Sequence, residues 1–231
     1  MKILIIGSKG YVGEQLCKEV NKRDNIELLE AIRGDNLEEK IKNSDLIIHS
    51  ANPSKRFFAK NNPTIDYEES VLKTLFIKNI CKQFKKNLTL VSSISARTQL
   101  DTVYGINRRS SEQILEKNDL IIRLGPIYGG KKNIGPLYDI FNNKDVFVNE
   151  LTKSSYAHIS FYAKKIIDLT INKNKKNLFE LGAKNYLILN DFKKYFQSKS
   201  NFFGAIDDQV PEDLFDDSPN ISEVYSYFNS L

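Results

Sequence analysis

Cysteine and histidine are both scarce, two of each in 231 residues. Cys17 and Cys81 fall in helical patterns without metal-ligand spacing. They read as two buried thiols of a reducing cytoplasm, which excludes a disulfide framework. His49 sits inside an apolar run and reads as a core histidine, and His158 has no partner at metal spacing. So few residues assemble neither a metal centre nor a serine–histidine–acid arrangement. Long apolar runs are missing too. None approaches the ~20 residues of a membrane-spanning helix, so no membrane association is expected. There is no internal repeat and no low-complexity tract.

What remains is ordinary for a globular chain, with 41% hydrophobic and 27% charged residues. The length allows one domain, or one domain with a small appended lobe. The net charge is +5. Lysines cluster at Lys82, Lys85 and Lys86 and again at Lys173, Lys175 and Lys176, each set near a helix end where cations are favourable. No nucleic-acid-binding module accompanies them, so they read as solvated faces and no nucleic-acid partner is expected.

The most informative stretch is the N-terminus. An apolar run at residues 3–6 enters Gly7-x-x-Gly10-x-x-Gly13, and an amphipathic pattern (Val12, Leu16, Val20) follows at once. A buried parallel strand feeding a helix through a glycine turn presents backbone N–H groups and the helix N-terminus to a pyrophosphate. The motif starts at residue 7, so no signal or transit peptide is expected. Apolar strand runs at 26–32, 45–49, 87–91 and 119–123 alternate with helical patterns at 35–42, from Pro63 to about 84, and at 103–116. That alternation predicts an α/β fold, a Rossmann-like doubly wound parallel sheet. After Gly129-Gly130 the regularity weakens, with helical patterns at 137–141, 163–169 and 189–197 and a short strand at 177–182. Residues 1–130 are expected to form the nucleotide-binding domain. Residues 131–231 should form a small C-terminal substrate lobe of the same folding unit, ending in an acidic stretch that reads as a solvated tail or an irregular cap.

Ser92-Ser93-Ile-Ser95 ends one strand, and Tyr104-x-x-x-Arg108 opens the next helix with both side chains on one face. In this order the motifs resemble the extended, sugar-nucleotide-modifying branch of the short-chain dehydrogenase/reductase superfamily. The matching elements are the glycine turn, Ile47-Ile-His49-Ser50-Ala51, Ser92-Ser93, Tyr104-x-x-x-Arg108 and Arg123-Leu-Gly-Pro-Ile-Tyr128-Gly129, then Ala157-His-Ile-Ser160 and Phe179-Glu-Leu-Gly182. The resemblance implies that Tyr104 is the acid/base, that Ser93 holds the substrate oxygen and that the residue at 108 binds the nicotinamide ribose. It implies cofactor contacts at Gly7, Lys9, Gly10, Tyr11, Val12, Gly13, Arg33, Ser50 and Ala51 as well as Tyr104 and Arg108. Substrate contacts are expected at Ser95, Arg123 and Tyr128, the last two near the cofactor or the substrate phosphate, with a structural pairing to an acid as the equal alternative for Arg123. A cation beside a phenol stabilises the phenolate and so suits this pairing.

Three departures stand out: arginine at 108 where the family has lysine, a short segment between Ser93 and Tyr104, and Ser160-Phe161 where an acid is common. Lys9 and Arg33 favour NADP over NAD, with Glu30 as the counterweight. The function expected is hydride transfer by an NAD(P)-dependent oxidoreductase or epimerase on a nucleotide-activated sugar. The alternative is a dinucleotide-binding sensor or assembly protein with impaired catalysis. A homodimer through the helix from Pro63 and the helix bearing Tyr104 is the assembly that the superfamily offers.

Overall fold

The computed structural model describes residues 1–131, 133–172 and 176–231. Lys173 and Lys175, two of the clustered lysines, lie outside the described residues. The chain divides into two compact units, residues 1–123 with 163–179, and residues 124–162 with 180–231.

In the first unit the apolar runs become strands because they can be buried on both faces. β1 (Lys2–Ile6) is buried from Ile3 onward. β2 (Glu27–Ala31) and β3 (Leu46–His49) flank it in parallel, and β4 (Leu88–Ser93) joins β3 in parallel. With β5 (Leu120–Leu124) and a later strand at 178–181, the six-stranded order is 2-1-3-4-5 and then that last strand. The doubly wound α/β fold expected from the alternation is the fold observed.

α1 (Tyr11–Val20) buries Gly13, Leu16, Cys17 and Val20 on one stripe. α2 (Leu37–Lys42) starts at Asn36, whose side chain accepts the Glu39 N–H. After β3 comes α3 (Arg56–Asn61), a short helix that the sequence pattern does not announce. The long helix expected from Pro63 is in three parts. α4 (Pro63–Tyr67) runs into a π-turn at Glu68–Leu72 and continues as α5 (Lys73–Gln83). α6 (Ser95–Thr98) is one turn after β4. α7 (Val103–Gln113) is capped by Thr102, whose hydroxyl accepts the Gly105 N–H at 3.1 Å. A side chain at Gly105 would run into the Gln99 carbonyl, so this glycine lets α7 begin tightly against α6.

The second unit holds short elements. β6 (Ile127–Tyr128), α8 (Pro136–Phe141), β7 (Lys153–Ser154) and β8 (Ala157–His158) are followed by α9 (Ile159–Ile171), which passes into the first unit. β9 (Leu178–Leu181), β10 (Leu187–Ile188), α10 (Leu189–Tyr195) and α11 (Ser222–Asn229) complete the chain. Its core is aromatic: Tyr138, Phe192 and Phe228 pack with Leu137, Ile140 and Leu189. The acidic terminal stretch therefore ends in a packed helix, with Val224 and Phe228 buried one turn apart. No helix among the described residues is long and apolar enough to cross a membrane.

Candidate functional site

The glycine turn is shaped by what its residues lack. Gly7 has φ +89°, and a Cβ there would come within 2.8 Å of Ala51, so the turn and the loop after β3 touch through bare backbone. A Cβ at Gly13 would collide with the Gly7 carbonyl, which requires glycine where α1 leaves the turn. Gly10 is the N-cap of α1 and contributes no side-chain cap. Uncapped first-turn donors together with the helix dipole suit an anion. The Ser50 hydroxyl donates to the Ile6 carbonyl at 3.0 Å and ties the end of β3 to β1 beside this turn.

Both cations assigned to cofactor choice are paired with acids. Lys9 lies 3.3 Å from Glu30, and Arg33 lies 2.7 Å from Glu69, which also pairs with Lys73. The Ser8 hydroxyl and the Lys9 ammonium hold the Glu30 carboxyl below its usual range. Arg33 lies beyond β2, in the turn that follows it, so strand alternation does not bear on its side, and the Lys9 contact sets Glu30 against the glycine turn.

Tyr104 and Arg108 share one face of α7, and the Arg108 guanidinium carbon stands 4.9 Å from the Tyr104 ring centroid. Tyr104 is buried to 9% exposure and Arg108 to 2%. Arg108 Nη2 donates to the Pro53 carbonyl at 2.7 Å and to the Ser70 hydroxyl at 2.9 Å. Its Nε has no partner among the described residues. A buried donor without an acceptor is costly, so a ligand oxygen there would be stabilising. That orphaned donor and the bare glycine turn are the two features that fit a dinucleotide. Ser93 is half-buried at the end of β4, and its hydroxyl accepts the Ser95 N–H at 3.2 Å.

The three residues expected at the substrate, Ser95, Arg123 and Tyr128, are all buried. Ser95 is fully buried, with its hydroxyl accepting from Arg56 at 3.2 Å. Arg123 is gripped by Glu112 through Nε at 2.9 Å and Nη2 at 2.7 Å, a fork-to-fork pair that also takes the Ser92 hydroxyl at 2.6 Å. Tyr128 is a core residue of the second unit, 5.1 Å from Tyr227 and 5.3 Å from His158 between ring centroids, and burial pushes its phenol up to about 12. A cavity of about 450 Å³ in the second unit, lined by Asn149, Glu150, Lys193, Asn201, Phe202 and Phe203, contains none of the expected site residues.

Sequence reasoning missed Asp66, Ser70 and Asn107. Asp66 is fully buried and accepts the Asn107 amide at 2.8 Å, and its other oxygen lies 3.9 Å from Arg108. Asp66 stands 41 residues before Asn107, so no local spacing announces the pair. His49 is also only half-satisfied: Nδ1 accepts the Ala51 N–H at 3.3 Å while buried Nε2 has no partner among the described residues.

No family model matches the chain. A curated protein from Pseudomonas aeruginosa, UDP-2-acetamido-2,6-beta-L-arabino-hexul-4-ose reductase, is 28% identical over 122 residues, 50% of this chain and 31% of that protein. The chain thus matches about a third of the length of that relative. Among solved structures, MoeE5 in complex with UDP-glucose and NAD superposes with a TM-score of 0.77 at 16% identity, covering 89% of this chain and 86% of that one. The dTDP-4-dehydrorhamnose reductase of Bacillus anthracis in complex with NADP superposes with a TM-score of 0.68 at 14% identity, covering 89% and 84%. The fold is therefore the Rossmann-like α/β fold that these structures share.

Proposed function

We propose that the chain binds a nicotinamide dinucleotide at the glycine turn and uses Ser93 and Tyr104 in an oxidoreductase or epimerase reaction on a nucleotide-activated sugar. The observation that carries this reading is the Tyr104–Arg108 contact at 4.9 Å on the helix after β4. The dinucleotide would supply hydride acceptance or donation. Gly7, Gly10, Tyr11, Val12 and Gly13 would hold its pyrophosphate, and Arg108 Nε would meet a ribose oxygen. Ser93 would orient the substrate oxygen, and Tyr104 would move the proton at that oxygen. The relative from Pseudomonas aeruginosa, a reductase of a UDP-linked keto-sugar by its name, supports the substrate class.

Cofactor choice turns on Glu30. An acid beside the turn accepts ribose hydroxyls and repels a 2′-phosphate, and Lys9 and Arg33 are each occupied by a carboxylate. This moves the reading from NADP towards NAD. The impaired, dinucleotide-binding alternative is favoured by one observation, the depth at which Arg108 is buried and gripped.

The test is turnover of keto-sugar and epimerisable UDP- and dTDP-sugars by wild type and Tyr104→Phe. Loss of about a hundredfold or more in kcat in the variant is expected for a general acid/base. Unchanged turnover removes the catalytic reading. Dinucleotide binding without any turnover leaves the impaired alternative.

A further inference from the structure

A purely packing role at position 108 would be met by an apolar side chain, because a buried ion pair is rarely better for stability than well-packed hydrophobic residues. The chain instead buries a guanidinium on the face of α7 that carries Tyr104, and with it a carboxylate. Asp66 on α4 is the carboxylate paired with Arg108 among the described residues. At 3.9 Å it lies outside hydrogen-bonding distance and acts as a countercharge. The grip is made elsewhere. Both Nη2 protons are taken, one by the Pro53 carbonyl in the loop after β3 and one by the Ser70 hydroxyl in the π-turn. Asn107, the neighbour of Arg108 in sequence, fixes Asp66 from the same helix.

This arrangement gives a physical reason for arginine at 108. A single nitrogen, Nη2, bridges two different segments while the same planar group keeps Nε as a further donor, which a compact ammonium with its donors on one atom does not reproduce. It also leaves Nε as a buried donor without a partner among the described residues. A loosely held guanidinium would be drawn towards the phosphates of a bound dinucleotide. A fixed negative charge on the interior side opposes that movement.

We propose that Asp66 is a positioning residue for Arg108. Together with Asn107 and Ser70, it holds the guanidinium so that its free edge, and not its gripping edge, serves a bound dinucleotide. This rests on the dinucleotide reading above. Asp66 and Arg108 then act as one unit, and Arg108→Lys impairs the protein instead of improving it.

The test is a double-mutant cycle of Asp66→Asn and Arg108→Lys in the full chain. The readouts are the Kd for NADH and NADPH by calorimetry and urea midpoints in parallel. Each single change should weaken the preferred dinucleotide about tenfold, and the double variant should bind no worse than the poorer single. Additive losses overturn the proposal. So does an Asp66→Asn variant with a lowered urea midpoint and an unchanged Kd, which is the signature of a structural role alone. A wild-type chain that binds neither dinucleotide removes the proposed function and this role with it. A wild type that binds, with additive single effects, overturns the positioning role only. If Asp66→Asn does not fold, Asn107→Ala takes its place in the cycle, with the same non-additivity expected.

Discussion

The Lys9 ammonium stands 3.3 Å from a Glu30 carboxylate oxygen, so the side chain inside the glycine turn is bound to an acid of β2. Both groups are substantially exposed, and a pair of this kind contributes little to stability, at most about 1 kcal/mol. Its consequence is for recognition. A ligand carrying a phosphate at this place must separate Lys9 from Glu30 and then sit against the carboxylate. Glu30→Ala frees Lys9 and removes the repulsion. The variant should gain about tenfold in affinity for NADPH relative to NADH, measured by calorimetric titration of both. An unchanged ratio would place the cofactor's adenosine ribose elsewhere.

The family resemblance points Arg123 at the substrate, and its burial against Glu112 changes what its mutation should do. The side chains of Arg123 and Glu112 are 6% and 2% exposed, and their fork-to-fork contact leaves the guanidinium occupied by an internal acid. Glu112→Gln strands a buried charge and should cost about 3–5 kcal/mol in urea unfolding. Replacing both partners with apolar side chains, Glu112→Leu with Arg123→Met, should cost less than the single change. A single Arg123 variant of native stability with a raised KM for a sugar nucleotide would instead support the expected substrate contact.

Two glycines separate backbone strain from collision. Gly34 has φ +95° and no neighbouring atom within 4 Å of where a Cβ would stand, so Gly34→Ala suffers only the left-handed conformation, about 1–2 kcal/mol. At Gly13 the φ is ordinary and the obstacle is the Gly7 carbonyl. Gly13→Ala must push α1 off the turn and should cost about 3 kcal/mol or more. It should also abolish dinucleotide binding, whereas Gly34→Ala should keep it. Urea midpoints and calorimetry on the two variants distinguish the cases.

How legible these features are in the sequence follows from the range of the forces behind them. β1, the glycine turn, β4 and α7 are readable because an apolar run, a required glycine and an N-cap threonine act within a few residues. The π-turn at Glu68–Leu72 is hidden, since one extra residue in a helix barely disturbs its apolar periodicity. The two-residue strands β6, β7, β8 and β10 are too short for a period of two to show. α11 is masked by the acidic residues before it, although Val224 and Phe228 carry the i, i+4 signal. At the candidate site, Tyr104 and Arg108 share a helix face and can be paired by spacing. Asp66 and Glu112 cannot, because their partners are chosen by tertiary packing.

His49 should make stability depend on pH in a defined direction. Burial, with the Lys73 and Arg108 charges adding to it, pushes its pKa from 6.5 down to about 3. Between those values the unfolded chain binds a proton that the folded chain refuses, so stability falls as pH drops through this window and is regained above about 6.5. From pH 6.5 to 5, before most carboxylates titrate, the loss from this one group should be about 2 kcal/mol. The Ala51 N–H donating to Nδ1 at 3.3 Å fixes the neutral tautomer with its proton on Nε2, and protonation at Nδ1 would break that bond. His49→Gln removes the titration. Its urea stability should be lower than wild type at pH 7 yet nearly flat from pH 6.5 to 5. A wild-type profile that is equally flat would mean that His49 is reached by solvent, and the depressed pKa would fall with it.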